Sequence, residues 1–94
     1  MRIIERSSTF KRDYKRIKAV PRYSKDLDSL LTDVFACLLA DKMLPDRNRD
    51  HALSGGWNGH RECHIKPDLL LIYRKPDQRT LQLARLGSHS ELFD

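Results

Sequence analysis

Apolar residues recur at helical spacing in the first half of the chain and at strand spacing in the second. Phe10, Tyr14 and Ile17 stand at i, i+4 and i+7, with Lys11, Arg12, Lys15, Arg16 and Lys18 on the other positions, the pattern of an amphipathic helix. Ser7 or Ser8 is placed to cap it, and Pro21 ends it. Ser24 then predicts a second helix to about Lys42. Its apolar stripe is Leu27, Leu30, Leu31, Val34, Leu38 and Leu39, and its outer face carries Asp26, Asp28 and Asp33. Joined by Val20–Tyr23, the two make a helical hairpin whose apolar stripes need a sheet to cover them.

Strand patterns flank that hairpin. Arg2–Glu5 predicts a short opening strand. Pro45–Asp50 is polar and reads as a loop, and Gly55, Gly56 and Gly59 around Trp57 predict irregular backbone. His60–Ile65 and Leu69–Arg74 follow as strands about a Lys66-Pro67-Asp68 turn. In the first of these, Cys63 and Ile65 share one face, Glu62 and His64 the other. Leu69–Tyr73 is apolar on both parities, which predicts a central strand covered on both sides. After a Pro76-Asp77-Gln78 turn, Thr80–Leu86 is the last strand and Gly87 stops it. Ser88-His89-Ser90-Glu91 fits a capping box, so Ser88–Phe93 is expected to close the chain as a helical turn. The order is β-α-α-β-β-β over one domain, residues 1–94, without repeat or linker.

Composition narrows the class. With 94 residues, 39% hydrophobic and 33% charged, the chain is ordinary for a soluble globular protein. No run approaches the roughly 18–20 apolar residues that cross a bilayer. The N-terminus has no apolar stretch of signal-peptide length, so a cytosolic protein without membrane contact is expected. Cys37 and Cys63 cannot build a disulfide framework and are expected as reduced core thiols. The net charge of +5 is unevenly placed: residues 1–25 hold nine Lys/Arg against two acids, and residues 26–46 hold one base against five aspartates. Such a dipolar surface attracts a polyanion on one side and a cationic group on the other. Nucleic acid is the commonest polyanion.

Several chemistries are poorly served. On a strand His60 and His64 are about 13 Å apart at ~3.3 Å per residue, too far to share one ion. There is no C-x-x-C and no H-E-x-x-H, so neither metal nor cofactor is expected. Gly55-Gly56-x-x-Gly59 does not follow a strand and open a helix, so it is no phosphate loop, and neither cysteine lies in a nucleophile motif. Acid–base cleavage of RNA asks for less, because the ribose 2′-hydroxyl is itself the nucleophile. The protein must remove one proton, donate another to the leaving oxygen, and stabilise charge on the phosphorane. Histidine titrates nearest neutral pH, a guanidinium forks onto phosphate oxygens, and an aromatic ring stacks on a base. His51, His64 and His89, Asp68, Arg85, and Trp57 or Phe93 supply each type.

The pieces Asp50-His51-Ala52-Leu53, Gly56-Trp57-Asn58-Gly59-His60-Arg61, His64-Ile65-x-Pro67-Asp68, Leu71-Ile72-Tyr73 and Arg85-Leu86-Gly87-Ser88-His89, with Leu92-Phe93, occur in that order. Together they resemble the YafQ branch of the RelE superfamily, toxins of type II toxin–antitoxin pairs that cut messenger RNA on the ribosome. The likeness is strong over about half the chain, Asp50–Phe93; before it only the helix-pair layout and basic character agree. It implies His51 in proton transfer or substrate contact, His64 as a second catalytic histidine at the cleft, and His89 as the histidine with acid or base duty. It implies Asp68 as part of the base system, Arg85 as transition-state stabiliser and Phe93 as an aromatic near the scissile bond. Trp57, Lys11, Lys15 and Arg61 are further candidates for substrate contact. His60 stands where the family often has tyrosine and is not expected to be catalytic, and Leu69 replaces a bulkier aromatic.

The same resemblance implies an α+β fold: two N-terminal helices on one face of a curved, mostly antiparallel sheet of about four strands, the other face being active. It implies a cognate antitoxin, the ribosome and mRNA as partners, with DNA reached only through the antitoxin complex. Strand parity, however, groups Arg85 with Leu81 and Leu83, so the last strand must twist or end near Arg85 for that side chain to reach the active face. The competing reading is a non-catalytic relative that binds RNA, DNA or an antitoxin and regulates its own operon.

Overall fold

A computed structural model describes residues 2–93. The first strand, β1 (Ile3–Arg6), leads into α1 (Ser8–Lys18), a one-turn α2 (Pro21–Ser24) and α3 (Leu27–Leu39). Then come β2 (His51–Ala52), β3 (Arg61–Lys66), β4 (Leu69–Arg74), β5 (Thr80–Gly87) and α4 (His89–Phe93). The sheet has five strands in the order β1-β5-β4-β3-β2; β1 runs parallel to β5 and the other neighbours are antiparallel. The α+β class, the helices on one face and the short closing helix agree with expectation. The strand count does not: His51–Ala52, only two residues long, adds a fifth strand by pairing with Glu62 and Arg61.

Ser7 caps α1, its Oγ accepting from the Phe10 amide at 2.9 Å. The second helix begins differently from expectation. Pro21 opens α2 instead of only closing α1, because a proline fits the first helical position, where its missing N–H leaves nothing unpaired. Asp26, in a left-handed conformation at φ 62°, starts α3, which ends at Leu39 and not Lys42. Phe10, Ile17, Leu27, Leu31, Val34 and Leu38 bury against Cys63, Ile65, Leu69, Leu71, Tyr73, Leu81, Leu83 and Leu86 of the sheet. The helical stripes read from the sequence are this core.

The expected central strand is central. Leu69, Leu71 and Tyr73 face the helices, while Leu70 and Ile72 form a second cluster on the opposite face with Leu92 of α4, and Leu53, Trp57, Ala84 and Phe93 pack around it. Leu69, fully buried on the helix side, belongs to the core.

Cys63 is fully buried and Cys37 half-buried, and burial pushes the Cys63 thiol far above its ordinary value. In the folded protein Cys37 should therefore take up a thiol reagent first, and Cys63 only as the protein unfolds. Mass-resolved labelling with and without denaturant checks this; equal rates in native buffer would contradict the packing.

Candidate active site

β5 carries the irregularity that decides where Arg85 goes. Tyr73 pairs with Leu83 but its neighbour Ile72 pairs with Arg85, so β5 holds one extra residue, Ala84, against β4. Directly opposed residues share a face of a sheet, and a bulge of one residue reverses the parity beyond it. Leu81 and Leu83 therefore stay with the helices while Arg85 sides with Ile72 on the opposite face. Simple alternation had grouped all three; the bulge supplies the twist that Arg85 requires.

The bulge is held from the α1 side. Past Arg6 no described strand covers the edge of β5 away from β4, and the start of α1 takes that place: the Ser7 amide donates to Leu83 O at 3.1 Å and its hydroxyl to Ala84 O at 2.9 Å. Nearly two turns further on, buried Asp13 accepts from the Leu86 amide at 3.0 Å, from Arg85 at 2.7 and 3.2 Å, and from Arg16 at 2.8 Å. Burial alone would raise the Asp13 carboxyl, but the bonds from Arg85, Leu86 and Arg16 outweigh it and hold the pKa below the ordinary value. Arg16 also pairs with Glu91 of α4 at 3.1 Å.

Register places the remaining groups. His51 pairs with Glu62, Glu62 with Ile72, and Ile72 with Arg85, giving one row across four strands. The next row is His64, Leu70 and Gly87, from which the chain turns directly into α4. Glu62 is the residue that sequence reasoning passed over. It is 5% exposed, with Oε1 3.8 Å from His51 Nε2 and 3.7 Å from His64 Nε2. Those separations are too long for hydrogen bonds but close enough to pair with either imidazole once protonated. Alternation had put Glu62 beside His64; only the register of β2 adds His51.

Both imidazoles are oriented by backbone carbonyls. His51 Nδ1 lies 2.7 Å from Arg49 O, and His64 Nδ1 lies 3.1 Å from Pro67 O. A carbonyl only accepts, so each neutral ring carries its proton on Nδ1 and turns a lone pair at Nε2 toward Glu62. The segment bearing His51 is clamped on its other side, where Asp50 accepts from Tyr73 and from Arg61. Burial, and then the bond to Asp50, raise the Tyr73 hydroxyl.

At the far end, the expected capping box is present. The Ser88 amide donates to Glu91 Oε1 at 2.8 Å, and the Glu91 amide to Ser88 Oγ at 3.2 Å. Gly87 leaves room for this turn: a Cβ there would meet Glu91, Arg16 and Leu92 side-chain atoms at 3.1–3.2 Å. Leu92 anchors α4 on the Leu70–Ile72 floor, and exposed His89 packs its ring 5.0 Å from that of Phe93. Trp57 packs beside the same floor with its ring edge-on to His60, centroids 5.1 Å apart.

Not every expected residue comes to this face. Asp68 is exposed, and its carboxylate accepts from Tyr23, itself buried among the helices, at 2.9 Å. It sits next to Pro67, which orients His64, but no bond joins it to the histidines among the described residues. Arg61 pairs with Tyr73 across the strands, so it lies on the helix-covered side and its guanidinium goes to Asp50 at 3.0 and 3.3 Å. Lys11 lines a cleft between α1, α3 and β1 with Tyr14, Asp28 and Phe35, and exposed Lys15 lies one turn further along that side. The α1 cation that reaches toward α4 is Arg16. The basic stripe was visible in the sequence, but which edge of α1 turns toward the open face depends on how the helix rolls onto β5.

Residues 2–94 match the family described as the bacterial toxin of type II toxin–antitoxin systems, YafQ. The chain belongs to the YafQ toxin family. The mRNA interferase toxin YafQ of Escherichia coli K12 is 34% identical over 92 residues, 98% of this chain and 96% of that protein. Two solved YafQ-like folds align over nearly the whole chain. The E. coli DinJ-YafQ complex gives a TM-score of 0.83 at 35% identity, covering all of both chains. A copper-bound mutant toxin from Helicobacter pylori gives 0.86 at 39% identity, covering 99% of this chain and all of that one. Among the described residues here, no group of three or more His, Cys, Asp or Glu is arranged to hold a metal ion.

Proposed function

We propose that this YafQ-family toxin is an endoribonuclease that cuts mRNA on the ribosome with the ribose 2′-hydroxyl as nucleophile. The observation that carries this reading is the register placing His51, Glu62 and Arg85 in one row, with His64 in the next and His89 where β5 ends. One imidazole of the His51–Glu62–His64 set takes the 2′-hydroxyl proton at its free Nε2, and Glu62 stabilises the imidazolium that forms. Exposed His89, across the floor, gives a proton to the leaving 5′-oxygen. Arg85 donates to the non-bridging oxygens as charge builds on the phosphorane. Phe93 and Trp57 offer rings for the flanking bases, and Asp68 marks the rim beside His64.

The products are a 2′,3′-cyclic phosphate and a 5′-hydroxyl. A cognate antitoxin silences the toxin, as the E. coli relative is solved bound to DinJ, and the nine basic residues of 1–25 suit ribosomal RNA or that antitoxin. Such a toxin works in the cytosol, and no described helix is long and apolar enough to cross a membrane.

The test is single-turnover cleavage of an mRNA, free and bound to ribosomes, with the product ends identified. Cleavage is expected on ribosomes, with a 5′-hydroxyl. Glu62→Gln removes the charge between the two imidazoles and should slow it about 100-fold at neutral pH. Products bearing a 5′-phosphate, or a fully active Glu62→Gln protein, would overturn the assignment.

A further inference from the structure

The active row is not the only polar row on the open face. Two residues along β4 from Ile72, Arg74 pairs with Gln82, and Gln82 pairs with Glu5 of β1. Extending the β3–β4 register by one residue sets His60 opposite Arg74. The side chains are linked: Arg74 Nε donates to Gln82 Oε1 at 2.7 Å, and Gln82 Nε2 donates to Glu5 Oε1 at 2.9 Å. They line a cavity of about 460 Å³ with Arg6 and Ala84, the bulge residue beside Arg85.

The charges in this cavity are only partly spent. Glu5 is the one carboxylate, and the Gln82 amide already engages it. The terminal nitrogens of Arg74 and the whole Arg6 guanidinium have no hydrogen-bond partner among the described residues. The Nδ1 of His60 is buried without a partner. The ring itself lines the cavity beside Arg74. Trp57, edge-on to this ring, fixes its plane. A ladder that polarises Arg74 while leaving its fork free is built to receive an anion with more than one oxygen.

From this geometry we propose that the His60–Arg74–Gln82–Glu5 row binds a phosphodiester of the RNA strand adjacent to the scissile one. The inference rests on the endoribonuclease reading and adds a subsite to it. Ile72 to Arg74 spans about 6.6 Å at ~3.3 Å per residue, so a strand that places one phosphate at Arg85 brings a neighbouring one to Arg74. A phosphate fits better than a base edge, because two permanent cations, Arg74 and Arg6, line the cavity against the single carboxylate of Glu5. The row then sets which way the strand crosses the sheet, from the His60 end toward His89.

The experiment is single-turnover cleavage of a short mRNA programmed on ribosomes, with each phosphodiester near the cut replaced singly by an uncharged methylphosphonate. One linkage beside the scissile one should slow the wild-type protein about tenfold, the size of one charge-assisted contact. Arg74→Gln should be slowed about tenfold on unmodified RNA and become insensitive to that one methylphosphonate. Its rate should also fall less steeply with salt, by about 0.7 in the logarithmic slope. His60→Gln and Arg6→Gln should lose part of the same sensitivity, which guards against a misfolded Arg74 variant. If the variants cleave but keep the full wild-type response at every linkage, the subsite is wrong while the nuclease stands. If Arg74→Gln weakens only antitoxin binding, the cavity holds a protein carboxylate, which also overturns the proposal. A wild-type protein that cleaves no RNA removes the nuclease reading and the subsite with it.

Discussion

Replacing Arg85 by alanine is expected to lower mRNA cleavage about 100–1,000-fold, the cost of removing one preorganised donor to a developing oxyanion, and to abolish growth arrest on induction. The Arg85 side chain is 26% exposed and turned to the open face, while its Nε and one terminal nitrogen are held by Asp13. That leaves part of the guanidinium free for substrate in an orientation fixed in advance, which is how a fork gains over a mobile cation. The bond to Asp13 also raises the pKa of Arg85 further, so it stays charged at any working pH. Arg85→Lys separates charge from geometry. An ammonium can still pair with Asp13 but cannot meet the carboxylate and the phosphate at once, so folding should persist while cleavage falls nearly as far as in Arg85→Ala. His89→Ala should also lose the arrest with the fold intact, since His89 is exposed. Circular dichroism establishes folding, and single-turnover cleavage gives the rates. A fully toxic Arg85→Ala protein would remove Arg85 from the mechanism.

What the sequence made legible follows from the range of the forces involved. Helix stripes, the two-sided apolar β4 and the Ser88–Glu91 capping box depend on residues a few positions apart, and each appears where local spacing puts it. Long-range register is harder. His51–Ala52 is too short to read as a strand, and it exists because β3 offers it an edge. Without that pairing Glu62 is merely a polar neighbour of His64; with it, Glu62 is a buried carboxylate between two imidazoles. Nothing in Ala84-Arg85 announces a bulge, since both flanking residues fit ordinary alternation. The bulge is set by Ser7 and Asp13, more than seventy positions earlier. Likewise, Asp13 looks like one acid in a basic helix until α1 is laid along the edge of β5 that β1 leaves open. The likeness to YafQ toxins over Asp50–Phe93 points to candidate side chains on the open face, His51, His64, Arg85 and His89, but not to Glu62 or to the N-terminal residues that hold Arg85.

Asp13 should therefore matter more than its distance from the reacting groups suggests. It satisfies the Leu86 amide on the edge of β5 that β1 no longer covers, anchors Arg85, and holds Arg16, which reaches on to Glu91 and so to the helix carrying His89. Losing one partner of a buried ion pair costs about 3–5 kcal/mol. Arg85 and Arg16 can turn partly to water, so Asp13→Ala should lie near the lower figure, about 3 kcal/mol, or roughly 12–24 °C in melting temperature for a domain of this size. Asp13→Asn keeps an acceptor for the Leu86 amide but not the charge, and should lose less stability than Asp13→Ala. The sign with pH follows from the depressed carboxyl: its contribution is complete above the ordinary aspartate range and disappears as pH falls through the lower folded value. Wild type and Asp13→Asn should thus differ most near neutrality and converge in acid. A purely structural Asp13 would show only this loss. If it also positions Arg85, then Asp13→Asn, assayed well below its melting temperature, should cleave at least tenfold more slowly than wild type. The Arg85 Nε–H proton should then exchange with solvent faster by NMR. Asp13→Asn combined with Arg85→Ala should be no slower than Arg85→Ala alone, because the two act through one guanidinium. Additive losses in that double variant would show that Asp13 acts on the fold and not on Arg85.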